Sequence, residues 1–322
     1  MSPKHFEATY QAMWDTFAAQ IAEAKLGKRT DGAQLATHYR RVCEHLALAQ
    51  SRAYPIHLVS RLESLTQDAH QLIYRRQDYG MRQLAQLLRV GLPNAVRAER
   101  RVVLLALLLF ALPLVLSLAL SWHSPDFALR LLNASQLRNY EAMYADGQDA
   151  LGRLRGADGD WQMFGHYIFN NIGIGFRAFG AGILAGVGSA FVLIYNGLLI
   201  GVVAGHLQRV GLGHNFWPFV ATHSAFELTG IVLSGAAGLR IGLGWIVPGR
   251  LSRGEALRAS ARAAIPLVYA AFFLLLVAAG FEAFWSSAAW IAPAVKYGVA
   301  AGCWALVLAW LCLMGRGSVH AR

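Results

Sequence analysis

The sequence predicts an all-α, polytopic membrane protein with an amino-terminal cytoplasmic helical domain. Three observations lead there: the composition, the length of the apolar runs, and the position of basic residues beside them. Of 322 residues, 56% are hydrophobic and 15% charged, with a mean hydropathy of +0.40. Soluble domains carry roughly a quarter charged residues, so a cytosolic enzyme fits poorly. Glycine, at 32 positions, is too sparse for a collagen triplet, and the chain is too apolar for disorder. The 3 cysteines (Cys43, Cys303 and Cys312) show no C-x-x-C spacing and read as small packing residues.

The formal net charge of +11 is unevenly spread. Residues 1–101 hold 15 Lys and Arg against 9 Asp and Glu, 123–165 hold 4 against 6, and 249–263 hold 4 against 1. Basic residues gathered beside apolar spans mark cytoplasmic segments facing anionic lipid. No basic stripe interleaved with aromatics stands away from those flanks, so no nucleic-acid partner is expected.

Residues 1–98 are polar and amphipathic, which argues against a secretory signal peptide. Phe6, Tyr10, Met13, Trp14, Phe17 and Ile21 recur at three- and four-residue steps, one face of a helix that Gly27 is placed to end. A second helix is expected from Asp31 to about Ala53, with Pro55 as its break. A third carries Leu58, Leu62, Leu65, Ala69, Leu72 and Ile73, and a short fourth runs from Met81 toward Pro93. Their apolar faces predict a cytoplasmic helical hairpin or bundle over 1–98.

The transmembrane domain is then 99–322. Arg97, Arg100 and Arg101 precede an unbroken apolar run over 102–121, long enough for the roughly 30 Å hydrocarbon core. The polar, net acidic stretch 123–165 reads as an external loop with short amphipathic helices. From about 167 to 205 the chain is apolar and rich in glycine, which lets membrane helices approach closely. Further spans are expected over 216–247, 265–285 and 295–314, with a basic cytoplasmic loop at 249–263. Parity then asks for a crossing over 168–192 and a partial, re-entrant element at 197–208, with Asn196-Gly197 as its cap or break. The total is five to six membrane segments, with amino and carboxy termini both cytoplasmic.

Polar residues inside these spans are informative, because each costs about 2.5–3.5 kcal/mol on insertion scales unless paired or wet. His223 and Glu227 are four apart and share a helical face. With Glu282, Arg177 and Arg240 they are expected to form an intramembrane polar cluster, the two arginines balancing the two glutamates. Asn170, Asn171 and Asn196 are expected at helix ends or along a polar cavity. Three chemistries are open to His223 and Glu227. They can form a structural hydrogen-bonded network. With Glu282 they can form a proton or ion relay. They can also ligate a metal, although the zincin pattern wants two His at i and i+4 plus a third ligand, and no second intramembrane His stands nearby on this helix. No catalytic residue and no cofactor is assigned. No nucleotide loop or nucleophile elbow stands in a strand–turn–helix context.

Several segments, in order, resemble the stage II sporulation protein M family, also called the DUF95 membrane proteins. They are Tyr39-Arg40-Arg41, Ala69-His70-Gln71-Leu72-Ile73-Tyr74, Asn170-Asn171 with Phe176, Phe179 and Gly182, Asn196-Gly197, Gly235-Ala236-Ala237-Gly238 and Pro248-Gly249. Residues 223–228 are similar to the family's His-Gly-x-x-Glu-Leu, with Ser224 in place of the usual Gly. The resemblance implies an α-helical protein of the bacterial inner membrane. The sporulation member acts with cell-wall-degrading partners during engulfment. Longer relatives occur in bacteria that do not sporulate, often encoded near MoxR-class ATPases. The combined reading is a non-enzymatic scaffold in the lipid bilayer that assembles with itself as a homo-oligomer or with envelope proteins or a MoxR-type ATPase. A transporter or channel subunit with a His/Glu pathway, and an intramembrane metal-dependent hydrolase, are the alternatives.

Overall fold

The computed structural model describes residues 1–26, 31–73, 80–146, 157–288 and 290–316. Helices dominate them and no strand is among them. The chain divides into two compact units, Met1–Arg82 and Gln83–Arg322.

The first unit contains α1 (Pro3–Lys25), α2 (Gly32–Ser51) and α3 (Ile56–Ile73). Their starts follow the sequence. The Ser2 hydroxyl accepts from the His5 amide and Asp31 accepts from Ala33 and Gln34, satisfying donors that a helix N-terminus leaves open. Pro55 separates α2 from α3. The expected stop at Gly27 and the family residue Tyr74 lie outside the described residues. Phe6, Trp14, Phe17 and Ile21 of α1 form one core with Leu35 and Val42 of α2 and Leu58, Leu62 and Ala69 of α3. The periodic stripes therefore meet as a three-helix bundle.

The second unit takes up the chain within α4 (Met81–Gln86). A π-helical turn (Leu87–Gly91) and α5 (Leu92–Ala98) follow. Trp310 Nε1 donates to Leu88 O at 2.7 Å, and the Arg97 guanidinium donates to Leu311 O and Met314 O, both at 2.7 Å. These bonds tie 83–98 into the membrane unit, so the units divide earlier than position 98, where the hydropathy changes.

Among the described residues, five segments are long and apolar enough to cross a membrane: α6 (Arg100–His123), α10 (Val187–Arg209), α11 (Gly213–Ile246), α12 (Arg253–Phe281) with the π-turn Glu282–Ser286 that continues it, and α13 (Pro293–Cys312). A sixth long helix, α9 (Ala157–Gly180), packs on α11 and α12. Between α6 and α9 stand two short helices, α7 (Pro125–Leu131) and α8 (Ala134–Tyr144), the latter begun by a capping box between Asn133 and Gln136. The stretch 147–156 of the expected external loop lies outside the described residues.

Two expectations need correction. The chain does not break at Asn196-Gly197: α10 runs through both residues, and Asn196 Nδ2 donates to Val192 O one turn back at 2.7 Å. There is no short partial element at 197–208. The interruption comes earlier, in a 3-10 turn (Ala181–Ile183) followed by Ala185 and Gly186 at φ 52° and 80°. Gly186 takes that left-handed conformation without a Cβ clash. Gly197 serves packing instead. A Cβ there would strike Phe110 O of α6, and Gly201 and Gly205 sit the same way on Leu114 O and Leu118 O. Ser117 and Ser121 hydroxyls donate across this seam to Leu198 O at 3.0 Å and Val202 O at 2.9 Å. Second, most of 249–263 is helix rather than loop. The Ser252/Glu255 capping box starts α12 at Arg253, so its basic first turns extend the span.

α11 is central. It packs against α6, α9, α10, α12 and α13, and its glycine face at Gly235, Gly238 and Gly242 receives Leu193, Ser189 and the Gly186 turn.

Candidate functional site: an intramembrane polar cluster

On α11, His223 and Glu227 lie one turn apart on the same face, with Nε2 and Oε2 separated by 3.6 Å. The π-helical turn ending α12 faces them. It presents both the Glu282 carboxylate, whose Oε1 is 3.9 Å from His223 Nε2, and the Ser286 hydroxyl, 3.0 Å from His223 Nδ1. Single π-turns inside helices are frequent at functional sites. From α9, Asn171 Nδ2 donates to Glu282 Oε2 at 2.8 Å, and Asn170 Nδ2 donates to Asn171 Oδ1 at 3.1 Å. From α13, Lys296 Nζ donates to Ser286 O at 2.7 Å, while Thr222 Oγ1 donates to Lys296 O at 3.3 Å.

The cluster is largely buried: His223 is 3% exposed, Glu282 8% and Asn171 0%. Charges in such surroundings persist only when paired and hydrogen-bonded. Tyr144, at the end of α8, stands close enough to feel it. Burial first, then Tyr167, Glu282 and Glu227, push the Tyr144 phenol well above its usual range, so it stays neutral.

His223, Glu227 and Glu282 thus come together, and Asn170 and Asn171 join them. The two asparagines sit inside α9 rather than at its amino terminus, so they do not cap it. Arg177 and Arg240 do not join. Arg240 is 13 residues beyond Glu227 on α11, about 20 Å along the axis. Its Nε lies 3.0 Å from Glu99 Oε2 and its Nη1 donates to Ser260 Oγ at 2.8 Å. Arg177 is exposed, about 9 Å past Asn171 along α9 and roughly 120° around it. Asn196 lies on α10, outside the cluster. A cation that does reach the cluster is Lys296, through Ser286 O. Sequence reasoning missed it, although a lysine inside the apolar stretch 295–314 was a legible signal. Ser286 and Thr222 carried no such signal, since hydroxyls are common in membrane helices.

A second polar group ties the short helices to the bundle. His206 Nε2 of α10 lies 2.6 Å from Glu141 of α8, and Asn215 of α11 donates to Tyr144 O at 3.0 Å.

Among curated proteins and among solved structures, nothing matches this chain. A family model described as a domain of unknown function (DUF8413) matches residues 4–75. That stretch holds Tyr39–Arg41, Ala69–Tyr74 and all but a little of the first unit. A second model, described as Stage II sporulation protein M, matches residues 104–287, more than half of the chain and every cluster residue except Thr222's partner Lys296. The chain belongs to the stage II sporulation protein M family.

Proposed function

We propose that this multi-pass membrane protein is a non-enzymatic component of a bacterial envelope complex, held together by its intramembrane cluster. One observation carries the reading: side chains from α9, α11, α13 and the turn after α12 are engaged with one another at a single buried locus. Polar groups satisfied in this way fix helix register and rigidify a bundle. The glycine seams around α10 and α11 add close backbone packing.

With α9 counted as a crossing, six helices traverse the bilayer and both termini lie on one side. Arg97, Arg100, Arg101, Arg250, Arg253 and Arg258 make that side cytoplasmic in an inner membrane. The amino-terminal bundle is then a docking surface in the cytoplasm, for another copy of the chain, an envelope protein or a MoxR-type ATPase.

The test is Glu227→Gln in the full-length protein. The scaffold reading expects a lower melting temperature and loss of assembly in detergent. A second reading, a proton- or ion-conducting subunit, is favoured by one feature: the Glu227 side chain keeps 17% exposure where His223 keeps 4%. Intact assembly with abolished ion flux in proteoliposomes would select that reading and sink the first.

A further inference from the structure

We propose that His223, Glu227 and Glu282 bind one divalent transition-metal cation of the Zn²⁺ or Mn²⁺ type. This goes beyond the polar-lock reading and does not depend on it.

The donor atoms converge. One ligand atom from each residue lies within 4.8 Å of the other two, and His223 Nε2 is 3.6 Å from Glu227 Oε2 and 3.9 Å from Glu282 Oε1. Donors around a four-coordinate ion at about 2.1 Å stand roughly 3.4 Å apart, so small side-chain adjustments complete the geometry. The 3.6 and 3.9 Å separations are ion-pair contacts longer than hydrogen bonds, and an ion bridging the donors would take the place of these contacts.

The surrounding residues match what ligands need. A metal-bound imidazole engages its other ring nitrogen in a hydrogen bond that fixes the ring, and ligating carboxylates are hydrogen-bonded in turn. Here Ser286 Oγ meets His223 Nδ1 at 3.0 Å, and Asn171 holds the far oxygen of Glu282 at 2.8 Å. As metal ligands, two carboxylates and an imidazole bring a total charge of −2, which a divalent ion neutralises. Mixed imidazole and carboxylate donors suit Zn²⁺, Mn²⁺ or Fe²⁺ better than Mg²⁺ or Ca²⁺, which prefer oxygen alone. Three protein donors leave a position on a tetrahedral ion for water.

The experiment uses full-length protein purified in detergent through a tag that binds no metal. Elemental analysis is followed by chelation and calorimetric titration with Zn²⁺ and Mn²⁺. About one ion per chain is expected, with a higher melting temperature on binding. His223→Ala and Glu282→Gln should lose the ion, and Asn171→Ala should weaken binding by about 10- to 100-fold. Folded wild-type protein that carries no ion and gives no heat with either metal overturns the proposal, whatever the variants do. So does equal binding by wild type and a His223→Ala/Glu282→Gln double variant, since the ion then sits elsewhere. Assembly is scored on the same samples. Metal-free wild type with assembly lost in Glu227→Gln defeats this proposal alone, whereas metal binding with assembly intact in Glu227→Gln defeats the scaffold alone.

Discussion

Asn171 and Glu282 stand 111 residues apart in sequence, yet the amide of one donates to a carboxylate oxygen of the other at 2.8 Å in the buried interior. That bond joins α9 to the π-turn after α12 and orients the carboxylate toward His223.

Removing it should be costly. Asn171→Leu leaves a buried carboxylate oxygen without its donor, a loss of about 1–3 kcal/mol. Asn171→Asp places a second acid against Glu282 and should be worse still. Thermal unfolding in detergent reads both, and melting temperatures equal to wild type would refute the structural role of this contact.

The seam between α6 and α10 gives a sharper steric prediction. Gly201→Leu forces a side chain against Leu114 O and Ser117 and should destabilise by about 1–3 kcal/mol or more. Gly302→Ala on α13 is the control. Nothing lies within 4 Å of its added Cβ, so it should be neutral or stabilising by up to about 1 kcal/mol through helix propensity. Similar losses for the two variants would count against the close-packed seam.

At the opposite end of α11 from the cluster, Arg240 bridges Glu99 and Ser260. A double-mutant cycle with Arg240→Gln and Glu99→Gln should give a coupling of about 0.5–3 kcal/mol, because each single change strands a half-buried partner. Simple additivity would mean the pair contributes nothing beyond its separate members.

The amino-terminal unit should respond to acid through His45. Burial, opposed by Glu44 and reinforced by Arg41, lowers the His45 pKa below its ordinary 6.5. Trp14 Nε1 also donates to its Nδ1, which must be unprotonated to accept. The unfolded chain therefore takes up a proton before the folded one does. Stability is full above about pH 6.5 and falls as the pH drops through the window below it. Hydrogen exchange at α1 and α2 in the full-length protein should accelerate over that range. In His45→Gln, which keeps an acceptor but does not titrate, the acceleration should shrink.

Much of this protein is legible in one dimension. Apolar run length announces the spans, and the three-residue and four-residue stripes at Phe6–Ile21 and Leu58–Ile73 announce the first bundle. The i, i+4 spacing of His223 and Glu227 announces half of the site. Each of these is a local property, set by helix geometry and by the free energy of moving side chains out of water. Asn196-Gly197 misled for the same reason. As a local signal it reads as a break, because the backbone oxygen of Phe110 that requires a glycine there belongs to another helix.

Pairing was decided only in three dimensions. How Lys296 reaches Ser286, why Arg240 goes to Glu99, and how Asn171 and Ser286 come to hold the same cluster depend on how helices far apart in sequence are brought side by side. The sequence alone determined that helices would form, that they would lie in a bilayer, and that some would carry costly polar groups. Tertiary structure selected the partners, because the burial that makes an unpaired charge expensive exists only once the bundle has closed around it.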